Sequence, residues 1–189
     1  MRRWSFLLFA ALLLTGCGGG EPADKPAGEP MTIHPTVFSE ETRKVLDILD
    51  DEVMFFTYTT DETVQSMALD IWFYEDGEWV SAGAVKGEQA AVEQDVVLRV
   101  KDAEIDIIHI QENGQSKYTF PVTVEFTAAQ MTVEDRLQIT EDIALGKEIV
   151  LYSKVSTEDT VLRNEENFRD MDCTAGMAVT LTFSAEPAE

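Results

Sequence analysis

The sequence predicts a mainly β domain, an antiparallel β-sandwich with one short N-terminal helix. Apolar and polar side chains alternate with a period of two through most of the chain after residue 52. Two turn signals, Asp76-Gly77 and Asn113-Gly114, lie between pairs of such segments and indicate hairpins. Residues 39–51 have the clearest helical spacing of apolar side chains, whereas residues 128–146 and 157–176 are less regular and fit either long loops or a helical turn. Short strands joined by tight turns are typical of a sandwich.

The predicted helix covers residues 39–51. Ser39 is a good N-cap, because its hydroxyl can accept a hydrogen bond from a backbone N–H of the first turn. The two glutamates that follow it suit the positive end of the helix dipole. Val45, Leu46 and Leu49 form an apolar stripe on one side of the helix.

The predicted strands are rich in β-branched and aromatic residues, or they alternate between apolar and polar side chains. They cover residues 53–60, 69–74, 78–85, 96–101, 105–111, 117–126, 147–155 and 177–184. Immunoglobulin-like and jelly-roll sandwiches both fit this pattern, and a partly open barrel is the alternative.

The N-terminus has the features of a secretory signal. Arg2 and Arg3 precede an apolar stretch, residues 4–14. A helix of this length rises only ~17 Å, whereas the hydrocarbon core of a bilayer is ~30 Å thick, so the stretch is too short to span a membrane. Because basic residues stay on the cytoplasmic side, we expect the rest of the chain to be exported.

The tetrad Leu14-Thr15-Gly16-Cys17 follows the apolar stretch. It resembles the lipobox of bacterial lipoproteins, in which an aliphatic residue and two small residues precede a cysteine. The resemblance implies that Cys17 receives a diacylglycerol and becomes the first residue of the mature chain. It also implies a location outside the cytoplasm, anchored in the cell membrane, or in the outer membrane if the host has one. Two acyl chains, at ~0.8 kcal/mol per buried CH₂, hold a protein stably on a bilayer.

Three regions follow from these observations. Residues 1–16 are the predicted signal peptide, residues 17–35 are the lipidated cysteine with a flexible tether, and residues 36–189 are a single β-sandwich domain. The tether is rich in Gly, Pro, Ala and Glu, a composition that cannot bury a core. The remaining length suits one domain.

The charge of the chain excludes one class of partner. The sequence has 14 Lys and Arg against 36 Asp and Glu, a formal net charge of −22. Neutralising nucleic-acid phosphates needs clustered basic residues, so we predict no nucleic-acid partner. The domain should also be repelled by anionic lipid headgroups, so we expect membrane contact through the diacylglycerol alone.

An aromatic cluster at the first predicted hairpin is the candidate binding site. If Asp76-Gly77 forms a two-residue turn, Glu75 faces Glu78, and Tyr74 faces Trp79, with Trp72 on the same side of the sheet. Aromatic faces beside carboxylates can stack on a sugar ring or hold a cation. The predicted ligand-binding residues are Trp72, Tyr74, Trp79, Glu75, Asp76 and Glu78. The alternative is that this aromatic face packs against the rest of the domain.

Other reactive side chains are predicted to be structural. The second turn places His109 opposite Tyr118, as a histidine at the edge of the core that bonds to a neighbour. Cys173 follows Asp170 and Asp172, the nearest charges in sequence, which should raise the pKa of its thiol, so we expect a buried, inert cysteine. The acidic clusters lack EF-hand spacing; we predict no metal site and no cofactor, with Ca²⁺ left open as an alternative.

The sequence favours a non-enzymatic binding or accessory module at the bacterial cell surface. The motifs of common hydrolases and nucleotide-binding enzymes are missing, so we assign no catalytic residue. The expected ligand is a glycan, a small solute or another envelope protein. A purely structural or assembly role is one alternative, and a carboxylate-dependent hydrolase is another.

Overall fold

The computed structural model describes residues 30–48, 52–89, 93–112, 114–126, 131–158 and 167–188. Their elements follow in this chain order: β1 (Thr32–Pro35), α1 (Glu40–Ile48), β2 (Glu52–Thr59), β3 (Ser66–Glu75), β4 (Glu78–Glu88), β5 (Glu93–Val100), β6 (Glu104–Gln111), β7 (Gly114–Pro121), β8 (Met131–Arg136), β9 (Glu141–Asp142), β10 (Glu148–Thr157), a 3₁₀ turn (Phe168–Asp170) and β11 (Ala175–Ser184). The predicted signal peptide and Cys17 lie outside the described residues.

The strands form two antiparallel sheets. Sheet A has the order β7-β6-β5-β2-β1-β9, and sheet B has the order β4-β3-β11-β10-β8. Side chains of the two sheets meet in one hydrophobic core, which contains Ile33, Phe56, Leu98 and Ile107 from sheet A and Leu69, Ile71, Leu151, Val179, Leu181 and Phe183 from sheet B. The predicted antiparallel β-sandwich with one short helix is therefore confirmed.

The β3–β4 hairpin has the predicted turn. Asp76 and Gly77 both have positive φ, at 51° and 92°, as a type I′ turn requires. Glu75 pairs with Glu78, and Tyr74 pairs with Trp79. The predicted register at the tip of this hairpin is therefore confirmed.

The β6–β7 hairpin differs from its predicted register. Gln111 pairs with Gly114, so Gly114 belongs to β7 rather than to the turn, and the register differs by one position from the predicted turn; Asn113 is outside the described residues. His109 therefore pairs with Ser116, and the predicted pairing with Tyr118 is wrong. His109 still points to the core, because its side of the sheet is set by its own position in β6 and not by its partner in β7.

A bulge in β10, between Val150 and Tyr152, determines what lies on the outer face of sheet B. Leu151 and Tyr152 both belong to the core, so the alternation is reversed beyond the bulge. Val155 then pairs with Gly176 on the outer face, and it is 1% exposed although it lies outside the core. The outer face of sheet B therefore has a buried region of its own.

The helix α1 forms as predicted but does not pack into the core. The backbone N–H of Thr42 donates to Ser39 Oγ at 3.2 Å, which confirms the N-cap. Val45 is 58% exposed and Ile48 is 80% exposed, and Leu49 lies outside the described residues. No helix among the described residues has the length and apolar character needed to cross a membrane.

The folded domain begins earlier than the composition indicates. β1 lies within the predicted tether, yet Ile33 pairs with Tyr58 of β2 and is fully buried. The predicted boundary at residue 36 is therefore corrected to Thr32. A strand of this length with a single buried apolar side chain gives too little periodicity to be separated from a tether by sequence alone.

Candidate functional site

Residues 167–174, which we call the cover segment, cross the outer face of sheet B. The side chain of Asn167 caps the 3₁₀ turn, because it accepts a hydrogen bond from the backbone N–H of Arg169 at 3.0 Å. At the other end, the backbone N–H of Thr174 donates to a carbonyl of β10 at 2.8 Å. Phe168 is 3% exposed although it lies outside the sandwich core. The cover segment thus forms a small packing layer of its own.

Trp79 of β4 packs under the cover segment. Its ring meets the ring of Phe168 edge to face, with centroids 4.6 Å apart. A Cβ added to Gly176 of β11 would lie 2.4 Å from Trp79 Cη2, so the indole rests directly on the backbone at this glycine. Tyr74 meets Trp79 from the open side, with centroids 5.6 Å apart. Trp79 is therefore half-buried and held on three sides.

Trp72 lies under the side chain of Arg169. The guanidinium carbon of Arg169 is 4.3 Å from the centroids of both the Trp72 and Phe168 rings. The two guanidinium nitrogens donate to the carboxylate of Glu148, with Nη1–Oε2 at 2.5 Å and Nη2–Oε1 at 2.9 Å. Thr180 Oγ1 accepts from Trp72 Nε1 at 3.0 Å and donates to Glu148 Oε1 at 2.8 Å. We call these four polar partners, Trp72, Glu148, Arg169 and Thr180, the arginine cluster.

The pKa values of two carboxylates at the arginine cluster, Glu148 and Asp70, are shifted in opposite directions. Burial opposes ionisation of Glu148, but hydrogen bonds from Arg169 and Thr180 outweigh it and lower its pKa. Asp70 lies on the same face of β3 as Trp72, and burial together with the charge of Glu148 raises its pKa. Arg169 therefore stabilises the charged form of Glu148 far more than the charged form of Asp70.

A cleft of about 590 Å³ lies between the tip of the β3–β4 hairpin and the cover segment. Tyr74, Trp79 and Glu78 line it from the hairpin, and Asp170, Asp172 and Cys173 line it from the cover segment, with Met171, Thr174 and Arg169 completing that side. We call it the hairpin cleft. Its walls combine aromatic rings with carboxylates, a mixture that suits a small polar ligand.

Burial in the hairpin cleft disfavours ionisation of its thiol and phenol groups. Burial raises the pKa of the Cys173 thiol to about 11, and the charge of Asp172 contributes. Burial also raises the pKa of Tyr74, with further contributions from Cys173 and Asp172. Cys173 is half-buried and protonated at neutral pH, so its thiol is a poor nucleophile, as its acidic neighbours predict.

The structure separates the six predicted ligand-binding residues into three groups. Tyr74, Trp79 and Glu78 line the hairpin cleft. Trp72 lies in the arginine cluster instead, where the chain's own cation covers its ring. Glu75 and Asp76 are exposed at the turn, and Glu75 accepts a hydrogen bond from the hydroxyl of Thr123 at 3.0 Å.

The sequence interpretation missed the role of the cover segment. From the sequence, Asp170 and Asp172 matter as an acidic cluster and as the neighbours of Cys173, and nothing there connects the three residues with the hairpin. The segment carries neither helical nor strand periodicity, and it contacts residues that are far away in sequence. Phe168 and Arg169, which lie over both tryptophans, gave no signal of their own.

A second cleft, of about 640 Å³, lies on the other side of Phe168 and Met171. Val133, Ile139 and Val155 supply apolar surface there, and charged side chains of both signs surround it. None of the predicted ligand-binding residues lines this cleft. The hairpin cleft is therefore the one that agrees with the sequence prediction.

His109 takes part in a buried polar network between the sheets. The hydroxyl of Tyr58 is 2.7 Å from His109 Nε2 and 2.9 Å from Oε1 of both Gln89 and Gln94. Burial lowers the pKa of His109 and raises that of Tyr58. The interpretation of His109 as a core histidine bonded to a neighbour is confirmed.

Among the residues that the structure describes, no group of three or more His, Cys, Asp or Glu side chains is placed to hold a metal ion. Comparisons with protein-family models, with curated proteins and with solved structures find no significant match. The case for a function therefore depends on the geometry of the outer face of sheet B.

Proposed function

We propose that this chain is a lipid-anchored, non-enzymatic binding module that is displayed outside the cytoplasm and binds its ligand in the hairpin cleft. The observation that carries the proposal is the cleft itself, in which the predicted residues Tyr74, Trp79 and Glu78 meet the cover segment. The anchor is the diacylglycerol on Cys17 that the lipobox implies.

The size and lining of the hairpin cleft support a small ligand. Its volume of about 590 Å³ lies within the ~300–1,000 Å³ typical of small-molecule sites. Trp79 is fixed by Phe168 and by the backbone at Gly176, so its ring is already in place before a ligand arrives. A preorganised aromatic wall reduces the entropy that binding costs. A sugar, a small solute or one side chain of an envelope protein would fit such a site.

The protonation state of the cleft thiol supports a role in binding rather than thiol catalysis. Cys173 lines the cleft, and its pKa of about 11 keeps it protonated at neutral pH. His109 is buried between the sheets and bonded to Tyr58, away from the cleft.

Anchoring is tested with Cys17→Ala in the native host. Cells are fed an alkyne-bearing fatty acid, and the chain is examined for label and for membrane association. The parent chain is expected to be labelled and to sediment with membranes, whereas Cys17→Ala should lose the label. Cys173→Ala is the matched control and should keep it. An unlabelled parent chain would contradict the lipid anchor.

Binding is tested by tryptophan fluorescence on the full chain with Trp4→Phe, in a sugar-free non-ionic detergent, so that Trp72 and Trp79 report. The chain is titrated with cell-wall glycans, small solutes and peptides from envelope proteins. At least one ligand class should give a saturable change that Tyr74→Leu removes. Tyr118→Leu, which changes an exposed tyrosine on sheet A, should keep it. If no ligand class gives a saturable change, the binding role fails and a structural role replaces it.

A further inference from the structure

The aromatic wall of the hairpin cleft offers a surface for a positive charge. The rings of Tyr74 and Trp79 meet at an interplanar angle of 66°, so they form a corner rather than a flat sheet. Aromatic faces attract ammonium and guanidinium groups through the negative potential above the ring, and Trp and Tyr do so most strongly. A corner of two rings can contact such a group from two directions.

Other side chains that line the cleft carry negative charge. Asp170 and Asp172 line the cleft from the cover segment, and Glu78 lines it from the hairpin. Arg169 is the one basic side chain among the described residues of the lining, and its guanidinium is engaged by Glu148. Among the described residues of the lining, the carboxylates of the cleft therefore have no free basic side chain beside them.

The arginine cluster shows how this face holds a cation. There the guanidinium of Arg169 lies 4.3 Å from two aromatic centroids, and a carboxylate and a threonine hydroxyl complete the site. The same kinds of group, aromatic rings and carboxylates, recur in the hairpin cleft on the same face of sheet B. The chain fills one of these two places with its own side chain.

We infer that the hairpin cleft binds an organic cation, a primary ammonium or guanidinium group on a ligand of about amino-acid size. This inference rests on the proposed function, because it names the ligand chemistry of the same cleft. The cation lies in the corner of Tyr74 and Trp79, and Asp170, Asp172 and Glu78 balance its charge.

The experiment measures binding to the full chain by isothermal titration calorimetry in a sugar-free non-ionic detergent. One probe is cadaverine, a free diamine, and the other is Nα-acetyl-lysine methylamide, which presents the same ammonium as a side chain. The matched neutral probe is the Nε-acetylated form of the second. Both cationic probes should bind saturably and more weakly as NaCl is raised, whereas the neutral probe should not bind. Binding of one cationic probe alone shows whether the source is a free amine or a peptide.

Two isosteric variants locate the binding. Asp172→Asn removes one charge from the cleft and should weaken binding of the cationic probes by about fivefold. Asp142→Asn removes one charge from β9 on sheet A and should change the affinity by less than about twofold. Both aspartates are exposed, so neither variant should impair folding. Equal effects of the two variants would overturn the assignment of the cation to this cleft.

The remaining outcomes separate this inference from the proposed function. If the charged and the neutral probe bind with equal affinity, the inference that the cleft binds an organic cation is wrong. Saturable binding of Ca²⁺ that Asp172→Asn abolishes, without binding of either ammonium probe, overturns it in favour of a metal. A neutral glycan that binds in a Tyr74-dependent way, while the ammonium probes do not, overturns the cation and leaves the binding module standing. If neither the ammonium probes nor any other ligand class binds, both fail.

Discussion

Trp72 and Trp79 lie on the same outer face of sheet B, but their surroundings differ. Trp72 is covered by the guanidinium of Arg169, and its Nε1–H is bonded to Thr180. Trp79 is fixed from below by Gly176 and from the side by Phe168, and it lines an open cleft. The comparison teaches what the cation of Arg169 contributes. At Trp72, Arg169 contacts the indole ring and the carboxylate of Glu148, and these contacts hold the cover segment in place. At Trp79, aromatic rings and carboxylates also lie together, but Arg169 is engaged by Glu148, and a cleft is left.

Phe168→Ala should have the largest effect, because the Phe168 ring contacts both Trp79 and Arg169. Removing a buried phenyl ring leaves a cavity under the cover segment, and we expect the free energy of unfolding to fall by about 3 kcal/mol. Urea denaturation measures this loss. Phe168→Leu keeps most of the volume and should cost less than about 1.5 kcal/mol. Equal losses for the two variants would show that the contacts of the aromatic ring with Trp79 and Arg169 do not stabilise the protein.

Gly176→Ala should affect the Trp79 region alone. The added methyl group would lie 2.4 Å from Cη2 of an indole that Phe168 holds in place, so the ring must shift. We expect a loss of about 2 kcal/mol in the free energy of unfolding, together with a change in Trp79 fluorescence. Gly87→Ala in β4, where a Cβ meets nothing within 4 Å, is the control and should stay within about 0.5 kcal/mol. If Gly176→Ala is as mild as the control, Trp79 is free to move.

Arg169→Ala should affect the Trp72 region. It removes a half-buried bidentate ion pair and leaves Glu148 without its charged partner, so we expect a loss of about 1.5 kcal/mol. Arg169→Lys keeps the charge but not the planar pair, and should recover only part of the loss. A double-mutant cycle with Glu148→Gln isolates the interaction. Additive losses in that cycle would mean that the pair contributes nothing.

The pH dependence of stability should show the smallest effect. Because the pKa of Glu148 is lowered on folding, its contribution is present above the unfolded pKa and is lost as the pH falls through the folded pKa. Between pH 5 and pH 3, the parent chain should lose more unfolding free energy than Glu148→Gln, by less than about 1 kcal/mol. Parallel pH profiles of the two proteins would contradict the coupling of Glu148 to Arg169.

The parts of the site that depend on local pattern were predictable from the sequence. The turn at Asp76-Gly77 follows from the positive φ that both of its residues adopt, and this turn fixes Tyr74 opposite Trp79. The second hairpin shows the limit of the same argument. There Gly114 has a φ of 149° within β7 rather than a place in the turn, so the pairing of His109 moved by two residues.

The other half of the site depends on contacts that no local pattern encodes. Phe168 belongs to a 3₁₀ turn, which has no apolar period to recognise, and it is buried by Trp79 from a distant strand. Arg169 is one basic residue among many charged ones, and its significance comes from Trp72 and Glu148. The sequence showed that aromatic rings and carboxylates were present on one hairpin, but not which cation would reach each ring.

The position of Phe168 and Met171 outside the sandwich core has a consequence for how this domain can change in evolution. No side chain of the cover segment belongs to the core between the two sheets. The cover segment lies in the connection between two neighbouring strands, β10 and β11. Connecting segments on a rigid scaffold tolerate substitution better than the scaffold itself. The exposed residues of this wall of the cleft, such as Asp170 and Asp172, can therefore diversify, provided that Phe168 and Arg169 keep the cover segment on the sheet.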